Sequence, residues 1–139
     1  MTAPTHLLEG NGSVAGVGAY NALSDSRYKK DIQDLKDSLA KVLAIRGVSY
    51  KWIDEAAYGS DTQLGVIAQE IEEILPEVVT TDANGTKRVK YTDLIPLLVE
   101  AFKAEKSAKD AEVAALKAEA QALRTALCAK FPDLAVCAP

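Results

Sequence analysis

The side chains able to do chemistry are few and unevenly placed. His6 is the sole histidine, and Cys128 and Cys137 are the sole cysteines. That inventory excludes a zinc site of known spacing, so no metal and no cofactor is expected. It also makes a Ser-His-Asp triad implausible, because His6 sits in a glycine-rich leader. The polar, basic stretch from Ser24 to Ile32 holds Ser24 and Ser26 beside Lys29 and Lys30. A serine hydroxyl needs a base before it can attack a peptide carbonyl. An amine can be that base when desolvation or neighbouring cations favour its neutral form. The cysteines leave three states open: a short loop closed around Phe131-Pro132-Asp133, bridges between chains, or free thiols, which a reducing cytosol favours at synthesis.

The rest of the composition bounds what could hold such residues. The length fits one small domain with appendages. Apolar residues make up 48%, enough for a core, whereas aromatics are only 6%. Alanine is abundant in the last third, which favours long helices over a large compact core. The net charge of −4 is spread with mixed signs, and Lys29-Lys30 and Lys87-Arg88 are isolated basic pairs. No nucleic-acid partner is expected. No apolar run approaches the roughly 20 residues that span a bilayer, and the N-terminus lacks a secretory pattern. A soluble chain made in the cytoplasm, with no membrane partner, is expected.

Periodicity supplies the elements. Residues 1–23 carry Gly10, Gly12, Gly16 and Gly18 among small residues and read as a linker or the end of a longer parent. Ile32, Leu35, Leu39, Val42 and Leu43 recur at helical spacing. They predict a helix over about Asp34–Arg46, capped by Asp31 or Asp34 and closed by Gly47. Val48, Tyr50 and Trp52 alternate with Ser49 and Lys51 as a half-buried strand does, and residues 54–63 read as a loop. Leu64–Ala68 is a short apolar strand or buried turn, and Gln69–Leu75 a helix of one or two turns stopped by Pro76. Asn84-Gly85 marks a hairpin joining Val78–Thr81 to Arg88–Tyr91. Thr92-Asp93 starts a helix with Pro96 in its first turn and no breaker before Pro132. It spans roughly 38 residues, or about 57 Å.

Along that helix Ile95, Val99, Phe102, Lys106, Lys109, Val113, Leu116, Ala120, Leu123 and Leu127 follow steps of four and three. This is the seam of a coiled coil, with two lysines in its middle that cost stability and can fix register. A second track, from Ala101 through Ala122, lies away from the seam. A helix this long exceeds what the remaining chain can cover, so self-association is expected.

Four segments, in order, resemble one family. Ser24-Asp25-Ser26-Arg27-Tyr28-Lys29-Lys30-Asp31-Ile32 is similar to a Ser-Asp-x-Arg-x-Lys-x-x-Ile opening. Gly47–Trp52 follows, then Gly65–Glu72 with Leu75–Val79, then Val89–Leu94 leading into the long helix. The pattern resembles the intramolecular chaperone auto-processing domain of phage tail spikes, tail fibres and endosialidases, and covers about residues 24–105.

The resemblance implies a homotrimer that holds three upstream parent chains in register while they fold, then cuts itself off. The implied cut falls between Leu23 and Ser24, with Ser24 as nucleophile and Lys29 as general base. Asp25, Arg27, Gln69 and Glu70 fall on family positions and are supporting candidates. Spacing alone does not join the dyad: residues five apart diverge by about 140° on a helix and face opposite sides of a strand. A bend, or Lys29 of a neighbouring chain, is required. Ser26 with Lys30 is the competing pair.

The expected architecture is α+β: residues 1–23 a linker, 24–93 a small mixed domain with short strands and a hairpin, 94–131 a long helix in a trimeric coiled coil, and 132–139 a tail. The expected function is a self-cleaving trimerisation chaperone of a phage tail fibre, acting in the host cytoplasm, with the parent in the virion tail. A structural cap that joins chains without cutting is the alternative. An adhesin-like binding module ranks below both, because aromatics are scarce.

Overall fold

Two short antiparallel ribbons and a series of helices make an α+β fold, seen in a computed structural model that describes residues 22–137. The expected linker lies outside the described residues except for Ala22 and Leu23, as does His6.

The first helix, α1, is Ser38–Ala44, shorter than the periodicity predicts. Asp37 occupies its cap position in the left-handed region, φ 57°, and its side chain makes no cap bond. Asp31 is also left-handed, φ 54°. These two reversals keep residues 31–37 out of the helix, although the apolar spacing runs through them. Asp tolerates this region better than most residues. Gly47 does not close α1, because the helix ends at Ala44 with Ile45 already extended. Of the periodic residues, Val42 packs on the core, while Ile32 and Leu43 stay exposed.

Strand β1 (Val48–Tyr50) pairs with β2 (Gln63–Gly65), with Val48 opposite Gly65 and Tyr50 opposite Gln63. The connection is not all loop. It contains a one-turn helix, α2 (Glu55–Tyr58), which starts where the Asp54 carboxylate accepts from Ala57 N–H. Trp52 sits between Tyr50 and Tyr58, with ring centroids 5.2 and 5.0 Å away. Helix α3 (Ala68–Ile74) stops before Pro76 as predicted.

Strands β3 (Val79–Thr81) and β4 (Lys87–Val89) form the expected hairpin. Its turn is held by Asp82, whose carboxylate accepts from Asn84 N–H and Thr86 N–H and meets Arg88. Those partners hold the Asp82 carboxyl below its usual range, Thr86 contributing most. Gly85 has φ 82°, a conformation with no steric cost for glycine.

Helix α4 runs from Leu94 to Lys130, close to the predicted span. The core is small: Ile71, Leu75 and Val78 close on Leu97, with Val42, Ile45, Val66, Ile74, Val79, Val89 and Leu94 packed around them. Tyr50, Trp52 and Tyr91 lie outside this cluster. Leu97 and Ala101 are the buried residues of α4, and α4 packs on α1. The alanine track therefore begins on the domain-facing side. The track expected to form a seam is a different face and is exposed: Phe102 is 69% exposed, Leu116 56% and Leu123 65%.

Beyond α4 the chain reverses. Cys128 and Cys137 form a disulfide within the chain, with Cα atoms 5.5 Å apart. Of the three states left open by sequence, the short closed loop is the one present.

Candidate active site

The Ser24–Lys29 segment needs a local reason to bend, because none of its residues enters the core. The turn Ser26–Tyr28 is a 3-10 helix with no buried residue. Asp25 caps it: the backbone carbonyl of Asp25 accepts from Tyr28 N–H, and that of Ser26 accepts from Lys29 N–H, both at 3.1 Å. The Asp25 carboxylate accepts from Arg27 N–H at 2.9 Å. The Arg27 guanidinium then grips the same carboxylate. Its Nε lies 3.1 and 3.0 Å from the two oxygens, and its Nη2 lies 2.6 Å from Oδ2. The side-chain bonds to Arg27, with the backbone bond second, hold the Asp25 carboxyl below the usual carboxylate range, and Asp25 raises the Arg27 guanidinium in turn.

This turn folds residue 29 back over residue 24. Lys29 Nζ donates to Ser24 Oγ at 2.7 Å, within one chain. The bend that regular helix or strand geometry denies is supplied by a turn that is neither. Reach alone therefore does not require a lysine from a second chain. Ser24, Lys29 and the preceding Leu23 are all exposed. No hydrogen bond joins Ser26 to Lys30 among the described residues, so the geometry favours the first pair over the second.

The other two supporting candidates lie elsewhere. Gln69 and Glu70 are on α3, and neither hydrogen-bonds to Ser24 or Lys29 among the described residues. The Glu70 carboxylate pairs with Arg46, tying α3 to the segment after α1. Arg46 had no mark in the sequence, because its partner is 24 residues away and no local period connects them. Tyr91 has a similar long-range role: its hydroxyl accepts from Val66 N–H at 3.2 Å. It also lies over Gly65, where an added Cβ would stand 2.7 Å from that oxygen.

Residues 24–80 match the family described as chaperone of endosialidase, beginning at the serine of the dyad. Those residues are similar to a chaperone-of-endosialidase domain. Curated relatives agree with this. The chain is 38% identical over 88 residues to the long tail fiber protein Gp37 of Enterobacteria phage K3, and equally to that of phage T2. It is 30% identical over 94 residues to the Gp37 of Salmonella phage S16. The match takes in 58% of this chain but 7% of the K3 protein, and 65% of this chain but 13% of the S16 protein. The chain thus spans only a small part of the length of the tail fibre proteins it matches. Among the described residues, no helix is long and apolar enough to cross a membrane.

Proposed function

We propose that this chain trimerises and chaperones a phage tail fibre parent, then cuts itself free between Leu23 and Ser24. The observation that carries the cutting step is the contact of Lys29 Nζ with Ser24 Oγ. In the first step the Ser24 hydroxyl adds to the Leu23 carbonyl carbon while its proton passes to the neutral Lys29 amine. The adduct collapses with breakage of the Leu23–Ser24 C–N bond, and Lys29 returns the proton to the departing nitrogen. An ester then joins the Leu23 acyl group to Ser24 Oγ. Water adds to that ester and releases the Leu23 carboxylate and the Ser24 hydroxyl.

Exposure supports a link between cutting and assembly. Ser24 and Lys29 face water in the single chain. Burial disfavours a charged amine, so neighbouring chains that cover the pair would favour the first step. The open seam of α4 supports the trimer. In this reading residues 24–93 are the holder, 94–131 the stalk and 132–139 its closed tail. Lys106 and Lys109, in the polar middle of the seam, pair with Asp110 and Glu105 on their own helix. Those pairs lessen the charge that the middle of the stalk would bring together. The exposed Ile53 and Leu64 beside the Trp52 cluster add apolar surface on the holder.

The test is to express the chain joined to its upstream parent in the host cytoplasm. Wild type should yield a trimer and a product beginning at Ser24 by mass, while Ser24→Ala and Lys29→Ala should give uncut trimers. A wild-type trimer that stays whole would favour the non-cutting cap. A Ser24→Ala variant that still matures would remove Ser24 from the mechanism.

A further inference from the structure

We propose that Asp25 and Arg27 are positioning residues: their ion pair holds the turn that lays Lys29 on Ser24 and keeps the Asp25 carboxylate from capturing Lys29 itself. This rests on the self-cleavage reading for its consequence, though not for its geometry.

Two observations carry it. The first is that nothing buried holds the turn. Short 3-10 turns have poor hydrogen-bond geometry, and nucleating any single turn is unfavourable. Here the two backbone bonds are reinforced by one carboxylate that takes the Arg27 N–H and two guanidinium nitrogens. A planar guanidinium fork fixes direction in a way a lysine cannot.

The second observation is where the charges fall along the chain. Asp25 is next to Ser24 in the chain, and Lys29 reaches Ser24. An uncompensated carboxylate there would attract the Lys29 ammonium and favour its charged form, which cannot take a proton. Arg27 neutralises that carboxylate, which leaves the Lys29 amine on the hydroxyl. The two roles make different predictions. Losing the fork through Asp25→Asn loosens the turn without leaving a bare charge, because an amide oxygen can still accept from Arg27 N–H. Losing it through Arg27→Gln loosens the turn and also uncovers the carboxylate.

The experiment measures the cleavage rate against pH for the chain with its upstream parent, with trimer formation followed by sedimentation. Asp25→Asn should lower the plateau rate by about tenfold or more, the scale of a small misplacement of a reacting group, without moving the midpoint to higher pH. Arg27→Gln should lower the rate and move the midpoint to higher pH, and the double variant should bring the midpoint back. Amide exchange at Tyr28 and Lys29, measured in uncut Ser24→Ala chains, should quicken in both single variants. Exchange and pH profiles that match wild type in both variants would overturn the proposal. If wild type itself does not cut, the self-cleavage reading fails, and unchanged exchange would then show separately that the fork does not hold the turn.

Discussion

Gly65 shows how tightly one residue can be constrained without lying in the core. Its backbone φ is not positive, so its need is for space rather than for left-handed freedom. A methyl group there would meet the Tyr91 hydroxyl at 2.7 Å and the Tyr50 ring at 3.3 Å. The hydroxyl cannot move away without giving up Val66 N–H. Gly65→Ala should therefore destabilise the fold by about 1–3 kcal/mol, as overpacking does, read as a lower denaturant midpoint with an unchanged slope. Tyr91→Phe removes the hydroxyl, so Gly65→Ala in that background should cost clearly less. Equal costs in the two backgrounds would show that the close approach is not the cause. The sequence made Gly65 visible as part of a matching segment, but it gave no sign of the Tyr91 contact, which joins residues 25 positions apart.

At the scale of elements, the parts that could be read were those whose cause is local. The hairpin follows from Asn84-Gly85, and α4 from the absence of any breaker between Pro96 and Pro132. The start of α1 was misplaced because apolar spacing continues through residues 32–35 while Asp31 and Asp37 reverse the backbone. Helix α2 was missed, although Asp54 before it and Gly59 after it are ordinary boundary residues. Spacing alone does not join Ser24 to Lys29, because helix and strand both part residues five apart, and the bend that joins them is a turn that is neither. The cysteines were ambiguous for a different reason: pairing depends on the reversal after Lys130, set by a series of bonds from Phe131, Leu134 and Cys137 back to residues 127, 131 and 134. Closing a loop this short stabilises by about 2–3 kcal/mol in the chain-entropy account. Reduction should therefore fray residues 128–137 and quicken their amide exchange while leaving the Ile71 core protected. Because the bond is within one chain, non-reducing denaturing gels should show monomers. A covalent trimer, or no change in exchange on reduction, would contradict this.

For the whole molecule, the ratio of core to open apolar surface decides how it behaves. Ile71, Leu75, Val78, Leu97 and Ala101 are the buried hydrophobics among the described residues, whereas α4 leaves seven large apolar seam residues at 40% exposure or more. An exposed apolar stripe is the kind of surface on which the proposed trimer would close. Leu116 lies in the longer apolar half of the seam, away from the domain. Leu116→Asp should raise the concentration for half-assembly by at least about tenfold, equivalent to 1.4 kcal/mol or more, in sedimentation, with the domain still folded. Assembly unchanged by that charge would rule out the seam as the contact.

The Ser24–Lys29 turn stands apart from all of this. Ser24 to Lys29 contributes no side chain to the core and none to the seam of α4, so in the proposed reading cutting and holding would draw on separate residues. A lineage could lose the hydroxyl of Ser24 in a single codon change and keep a working holder, permanently joined to its fibre. On that reading, residues that set the chemistry of release could change without altering those that build the holder, while assembly would still set when the cut occurs.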